Sequence, residues 1–213
     1  MRKIMELTDE KKNLNYTRWI EKLKAYDCYS ESLVNELGDK ICNGTFNINE
    51  GNGGCYEGAL VDVVLNNLCV MGYHINEVAF GISAKNKKNH PFLCVSLPML
   101  MRVLLLQHIS KSEMFVPQTE QWKKNKGYMF DFNGDMETKL KLGERSAFLC
   151  MKHGIKLSES EYEAMISIDK DEKEYNTHQN PLVILVKMVN QLVGVELQRK
   201  YDYYNTDKTV TKE

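Results

Sequence analysis

The sequence is poor in arginine and proline and carries almost no net charge. Only five of its 28 basic residues are arginine, four of its 213 residues are proline, and 29 acidic residues leave a formal charge of −1. This balance excludes a global electrostatic field that would drive the chain onto nucleic acid or a membrane surface. The 43% hydrophobic and 27% charged residues exclude collagen-like, coiled-coil and wholly disordered classes. At this length, one domain is favoured over two small ones.

The six cysteines lack the spacing of a metal or redox motif. No pair has CxxC or CxH spacing, which argues against a zinc site and a thioredoxin-like motif. The opening segment Met1–Lys12 is charged and polar, unlike a secretory signal. We therefore expect a cytoplasmic protein, not a secreted one, with all six thiols reduced. Cys69, Cys94 and Cys150 lie in apolar runs, where a free cysteine acts as a small hydrophobe.

No apolar run reaches the length of about 20 residues that a bilayer crossing requires. The most apolar run, Phe92–Leu106, contains Pro98 and Arg102. A buried helix is predicted from Pro98 to Ser110, with the proline at the first helical position. Contact with a membrane is not expected.

Helical periodicity runs through most of the chain and predicts a mainly α fold. Thr8 and Ser30 are suited to cap the first two helices. A long helix is predicted over Cys55–Met71, and Gly72 is expected to end it. The last strong helix is predicted over Pro181–Gln198. It is expected to pack centrally against the helices predicted over Pro98–Ser110 and Cys55–Met71.

The remaining segments contain capping and turn signals. Ser158 and Glu161 have the spacing of a capping box. A small β-hairpin is predicted from Gln121–Lys123 and Tyr128–Phe132, which flank a Lys-Asn-Lys-Gly turn. Asn47–Gly54 is predicted to be a flexible entry loop, because no Lys-Ser/Thr follows its glycines as a phosphate-binding loop would require.

Three regions are expected along the chain: a helical extension over residues 1–54, a helical domain with the hairpin insertion over 55–200, and a polar tail over 201–213. A polar loop is predicted over Ala84–His90. A second loop is acidic but lacks the ligand order and the glycine of an EF-hand, so a solvated loop is favoured over a cation site. Its acidic residues are Asp169, Asp171, Glu172 and Glu174.

Candidate chemical groups are scattered. The five histidines show no HExxH or HxH spacing; they are His74, His90, His108, His153 and His178. His108 ends a buried helix beside Gln107, where a hydrogen-bonded core histidine is favoured over a ligand.

A basic and aromatic group at the predicted hairpin supports a nucleic-acid hypothesis. Trp122 with Lys123, Lys124 and Lys126 would stack a base and contact phosphates. Solvated lysines are also expected at a hairpin tip, and we favour this interpretation over nucleic-acid binding.

Four stretches, taken in order, resemble the HD-domain metal-dependent phosphohydrolases. Residues 56–66 read YEGALVDVVLN, similar to that family's YEGGLxxHSLN, and residues 105–111 read LLQHISK, similar to LLHDxxK. Residues 143–146, GERS, resemble the turn GHGEKS, and residues 181–193, PLVILVKMVNQLV, resemble PLxxxLHxADxLA. The resemblance covers about two-thirds of the chain, from Tyr56 to Gln198.

The resemblance implies an HD-type helical bundle whose histidines and aspartates would hold metal ions that activate water for attack on phosphorus. Here the family's ligand positions carry mostly other residues, and we interpret them as a degenerate former metal site. They fall on Val63, Gln107, His108, Leu142, Ile168, Asp169 and Asn190. Aliphatic side chains do not bind metals, and neutral amides substitute poorly for imidazole and carboxylate. We therefore expect no metal, no cofactor and no enzymatic activity.

The leading hypothesis is a non-catalytic structural or interaction protein on this degenerate scaffold, with other proteins or a second copy as partners. The low arginine and high asparagine content favours a bacteriophage or mobile element as the source, and a virion or assembly component, in the virion or the host cytoplasm, is the most specific expectation. The alternative is a phosphate-ligand-binding module, or a remodelled phosphohydrolase, that uses His108 and Lys111.

Overall fold

A computed structural model of the protein describes residues 6–85, 94–169 and 180–206. The described part is mainly helical with one two-stranded antiparallel sheet, which confirms the predicted fold class. The helices are α1 (Asp9–Ala25), α2 (Glu31–Asn43), α3 (Ala59–Val63), α4 (Cys69–Lys85), α5 (Leu97–Leu106), α6 (Lys111–Met114), α7 (Gln121–Asn125), α8 (Leu142–Lys152), α9 (Glu159–Ile166) and α10 (Pro181–Thr206). The strands are β1 (Phe115–Pro117) and β2 (Phe130–Phe132). Single 3-10 turns cover Glu50–Asn52 and Ser167–Asp169, and a π-helical turn covers Val64–Leu68.

Predicted helix caps are confirmed at three starts. The hydroxyls of Thr8 and Ser30 accept backbone N–H groups from the first turns of α1 and α2. Ser158 and Glu161 form the expected capping box at α9. These caps depend on residues three positions apart, so the local sequence is sufficient to specify them.

Both predicted ends of the helix over Cys55–Met71 are wrong, since the helical segment begins at Ala59 and does not end at Gly72. α3, the π-helical turn and α4 are continuous from Ala59 to Lys85, so the glycine lies inside the helical segment. A Cβ at Gly72 would lie 2.4 Å from Leu104 Cδ1. The glycine therefore allows α5 to approach α4 closely instead of ending the helix.

The boundaries of the buried helix α5 also differ from the prediction. The hydroxyl of Ser96 caps α5, which begins at Leu97, so Pro98 occupies the second helical position. The helix ends at Leu106, and turns cover the residues up to Ser110.

The small sheet is present, but one of its two predicted strands is wrong. β1 pairs with β2 in antiparallel register, with Phe115 opposite Phe132. The segment predicted as the first strand, Gln121–Lys123, belongs to α7. Gly127 follows that helix, and its N–H donates to Lys124 O as at a helix C-terminus. The glycine of the supposed hairpin turn therefore ends a helix.

α10 is the central helix, as predicted, and packs against α4, α5 and α9. Its inner face is buried and consists of Leu182, Val183, Leu185, Val186, Val189 and Val193. Side chains of α1 and α2, among them Trp19 and Leu33, belong to the same core cluster. The extension predicted over residues 1–54 thus shares its core with the helical domain, within the described residues.

The polar tail predicted from residue 201 begins inside a helix, because α10 continues to Thr206. Side-chain pairs one turn apart accompany this extension: Lys200 Nζ lies 2.7 Å from Glu196 Oε1, and Gln198 Nε2 lies 3.3 Å from Asp202 Oδ1. Such i,i+4 pairs support an exposed helix by a few tenths of a kcal/mol, roughly 0.2–0.5 each. Residues 207–213 lie outside the described part.

Within the part of the chain that the structure describes, one helical segment, Pro181–Asp202, is long and apolar enough to cross a membrane by length and composition alone. A core helix of a globular protein meets the same criterion, and the inner face of α10 is packed in the core. Length and composition therefore do not distinguish the two roles.

All six cysteines are free. Cys69 and Cys150 are buried as predicted, whereas Cys94 is exposed. Of the predicted loops, residues 86–90 and the acidic residues after Asp169 lie outside the described residues. The same holds for His90 and His178.

Candidate functional site

Three of the positions aligned with metal ligands form one hydrogen-bonded group, the polar cluster of Gln107, His108 and Asn190. Asn190 Nδ2 donates to Gln107 Oε1 at 3.1 Å and to Val186 O at 2.8 Å. Asn190 Oδ1 accepts from Gln107 Nε2 at 3.4 Å and lies 3.1 Å from His108 Nε2. The two amides thus satisfy each other, as expected if these positions lie in a closed interior, because an unpaired buried amide costs roughly 1–3 kcal/mol.

The geometry assigns the tautomer of His108. Its Nε2 faces an amide oxygen, which only accepts hydrogen bonds, so Nε2 carries the proton. His108 Nδ1 is buried and has no hydrogen-bond partner among the described residues. Burial, and secondly the charge of Lys111, lowers the pKa of His108 well below its ordinary value. The imidazole is therefore neutral at physiological pH.

Lys111 is buried next to this cluster, against Phe46. Its Nζ donates to the backbone carbonyl of Phe46 at 2.6 Å and lies 3.5 Å from the centroid of the same residue's ring. Burial lowers the pKa of Lys111 to about 7, and the charge of Asp169 opposes that shift. A carbonyl oxygen and an aromatic face thus enclose Lys111 Nζ, and both stabilise its protonated form.

The other aligned positions serve the scaffold. Val63 is fully buried in the core, and Ile168 is partly buried and packs against the core cluster. Leu142 begins α8, and its carbonyl accepts a hydrogen bond from the Ser110 hydroxyl at 2.9 Å. Asp169 Oδ2 accepts from the backbone N–H of Gly143 at 2.5 Å. Burial raises the pKa of Asp169, and the Gly143 N–H opposes the shift.

The donor set does not fit a transition-metal site. The polar cluster offers one imidazole and two amides, and both amides are already committed to each other. Across residues 6–85, 94–169 and 180–206, no group of three or more His, Cys, Asp or Glu side chains is arranged to hold a metal ion. Amide oxygens are weak ligands for the metals that imidazole and carboxylate groups bind well.

The proposed nucleic-acid group is only partly available. Lys123 Nζ lies 2.8 Å from Glu120 Oε2 and 2.7 Å from Asp131 Oδ2, so two carboxylates neutralise it. Lys123 is therefore not favoured as a phosphate contact. Lys126 Nζ lies 5.0 Å from the ring centroid of Trp122, which is exposed. Lys124, on the same short helix α7, is half-buried.

Two features of the site were missed from the sequence. Phe46 is the only aromatic residue between Asn43 and Gly54, a weak signal for a packing role inside a polar loop. The hydroxyl of Ser146 donates to that of Ser110 at 2.9 Å in the interior. Nothing in the local pattern indicates that pair, since the two serines are far apart along the chain.

Fold and site together define a helical protein in which Gln107 and Asn190 hydrogen-bond each other in the interior, beside the buried Lys111. Comparison of the chain with models of protein families, with curated proteins and with solved structures found no match. The likeness to HD-domain proteins therefore rests on the four stretches quoted above.

The stability of the protein is expected to rise with pH from about 6 to about 8. Below about pH 6.5 the unfolded chain binds a proton at His108 that the folded protein does not. Between about pH 7 and 10, the unfolded chain likewise retains a proton that the folded protein releases from Lys111. Each such proton increases the free energy of unfolding by up to about 1.4 kcal/mol per pH unit as the pH rises.

Above about pH 8.5 the trend is expected to reverse, because burial raises the pKa values of Cys28, Cys55 and Cys69 to about 12. Unfolded thiols lose their protons there, whereas the folded ones keep them. Urea denaturation at several pH values checks the profile. Lys111→Met should lack the rise between about pH 7 and 8 and keep the fall. A wild-type profile that is flat across this interval would contradict the burial of Lys111.

Proposed function

We propose that this chain is a non-catalytic structural or interaction protein built on a degenerate HD-type helical scaffold. The observation that carries the proposal is the reciprocal pair of hydrogen bonds between Gln107 and Asn190. In the resembled family these positions would present ligands to a metal. Here each amide uses its donor and acceptor on the other, so little capacity remains for a metal or a substrate.

The energetic reason supports the same proposal. Burying a charged ligand without its metal is costly, whereas paired amides and apolar side chains are readily buried. Val63, aligned with a histidine of the family, is fully buried. Such an interior stabilises a scaffold without needing a bound metal.

We propose other proteins, or a second copy of the chain, as partners. Three aromatic side chains are exposed in this region: Trp122 on α7, Tyr128 between α7 and β2, and Phe132 on β2. Tryptophan and tyrosine are enriched among residues that dominate protein interfaces. A bacteriophage virion or assembly component is the most specific form of this proposal, and its support is the composition of the chain.

The second candidate is a phosphate-binding module. Its support is the proximity of Lys111 and His108, both buried against Phe46. An entering phosphate would replace the carbonyl of Phe46 as the acceptor for Lys111 Nζ.

One set of measurements separates the two candidates. We expect no hydrolysis of nucleotides or phosphorylated metabolites with Mg²⁺, Mn²⁺, Ni²⁺ or Zn²⁺, and no thermal shift with these compounds or with inorganic phosphate. The Gln107→Leu/Asn190→Leu double variant removes both amides but also leaves the His108 Nε2–H without its acceptor, so its folding is checked by its melting temperature before its activity is compared. Turnover by the wild type that this variant loses would overturn the proposal. A thermal shift abolished by His108→Ala and by Lys111→Ala would favour phosphate binding.

A further inference from the structure

The segment 45–54, between α2 and α3, is a compact loop with its own hydrogen bonds. The backbone N–H groups of Phe46 and Asn47 both donate to Gly54 O at 3.1 Å, which brings the two ends of the segment together. Thr45 Oγ1 donates to Asn47 O at 2.7 Å, and Asn47 Nδ2 donates to Gly53 O at 2.7 Å. A short segment with adjacent ends and internal contacts is an Ω-loop, a type of loop that is often functional.

From this loop Phe46 reaches into the interior. Its ring meets the imidazole of His108 edge-on, with the centroids 4.9 Å apart and the planes at 72°. Lys111 contacts both the ring and the carbonyl of Phe46. An added Cβ at Gly54 would lie 3.3 Å from Phe46 Cβ and 3.3 Å from Val63 Cγ2, so the phenylalanine is also close to Val63. One aromatic residue thus contacts His108 and lies near Val63, two of the positions aligned with metal ligands.

We propose that residues 45–54 form a lid over an interior binding site, and that Phe46 is the built-in occupant of that site. The contacts of Phe46 define what the site accepts: an aromatic side chain that presents its face to Lys111, together with an adjacent peptide carbonyl that accepts a hydrogen bond from Lys111 Nζ. The ligand class is therefore an aromatic residue of a peptide, supplied by a partner protein when the lid opens. The proposal of a lid does not depend on whether the chain is catalytic.

The lid is attached from outside by backbone hydrogen bonds to the segment 127–130, by packing of its 3-10 turn against α10 and by the burial of Phe46. Ile48 O accepts from Met129 N at 3.0 Å and from Phe130 N at 3.3 Å, and Glu50 N donates to Gly127 O at 2.9 Å. The hydrogen bonds inside the loop need not break when it moves, so opening costs the outer hydrogen bonds, the packing on α10 and the burial of Phe46 in the core.

Gly53 marks the contact between the lid and α10. Its φ is 68°, and a Cβ there would lie 2.6 Å from the carbonyl oxygen of Leu197. Gly53→Ala should therefore push the lid away from α10 and expose Lys111. Gly134→Ala is the matched control, since a Cβ at Gly134 meets no atom within 4 Å.

Mass spectrometry after brief acetylation with acetic anhydride measures this opening. We expect the labelling rate of Lys111 to rise about tenfold in Gly53→Ala, equivalent to about 1.4 kcal/mol of opening free energy, and to stay unchanged in Gly134→Ala. Reaction of the buried Cys150 with a thiol reagent reports global unfolding and should stay slow. No rise at Lys111, or a parallel rise at Lys111 and Cys150, would overturn the lid.

A second variant tests the occupant and also applies if Gly53→Ala fails to fold. Phe46→Ala should leave a cavity that N-acetylphenylalaninamide fills, raising the melting temperature of the variant but not of the wild type. N-acetylleucinamide should have a smaller effect, because it lacks the aromatic face for Lys111. Leu104→Ala supplies a control cavity in α5, where Leu104 is fully buried. No shift in Phe46→Ala, or an equal shift in Leu104→Ala, would overturn the proposal.

Discussion

Arg102→Ala is expected to lower the free energy of unfolding by about 3–5 kcal/mol, because it leaves a buried carboxylate without its partner. Arg102 Nε donates to Glu161 Oε1 at 2.6 Å, and the two side chains are only 15% and 5% exposed. Its Nη groups donate to the carbonyls of Tyr26, Asp27 and Lys156. Asp27 has a φ of 53°, an uncommon value for a residue with a Cβ. The guanidinium therefore joins α5 to α9 and to two turns.

Chemical denaturation of the variant measures this loss, and Lys152→Ala is the matched control. Lys152 pairs with Glu36, but both side chains are more than 40% exposed. Exposed pairs contribute only about 0–1 kcal/mol. Arg102→Lys should recover only part of the loss, because an ammonium lacks the planar fork that reaches several acceptors. A loss below about 1 kcal/mol in Arg102→Ala would mean that water screens the pair with Glu161.

Leu185→Ala is expected to lower the free energy of unfolding by about 2–5 kcal/mol. Leu185 lies on the inner face of α10 and is 2% exposed. Removing its side chain loses the transfer free energy of the buried atoms and leaves a cavity among helices that do not fully collapse around it.

The same helix supplies the control. Leu192 is 43% exposed on the outer side of α10, so Leu192→Ala should change stability by about 0.5 kcal/mol or less. Comparable small losses in the two variants, measured by urea denaturation, would show that the inner face of α10 is not the packed face.

Local features of the fold were predictable because they depend on neighbours in the sequence. The caps at Thr8, Ser30 and Ser158 each involve a backbone N–H three residues away. Apolar spacing predicts most of the inner face of α10, but it also places Leu192 there, and that prediction is wrong because Leu192 is 43% exposed. A glycine gives a less specific signal. At Gly72 the residue permits close packing of α5, whereas the same residue type at Gly127 ends a helix.

The candidate site could be predicted only in part. The resemblance aligned Gln107 and Asn190 with metal ligands, and their mutual hydrogen bond was expected because buried amides require partners. The engagement of Lys123 with Glu120 and Asp131 was not expected, since a run of lysines does not reveal which carboxylates the folded chain brings beside it. β1 was missed for the same reason, because its pairing with β2 depends on a distant segment.

By itself the sequence determined the helical class, the caps at Thr8, Ser30 and Ser158, most of the apolar face of α10 and the balance of charge, all of which depend on composition or on the spacing of residues along one helix. Only the tertiary structure decided that Phe46 covers Lys111, that Asp169 binds the N–H of Gly143, and that Arg102 joins two helices and two turns. These contacts join residues from 26 to 76 positions apart. Such contacts form only when the core has already fixed the helices relative to one another, so local propensity does not predict them.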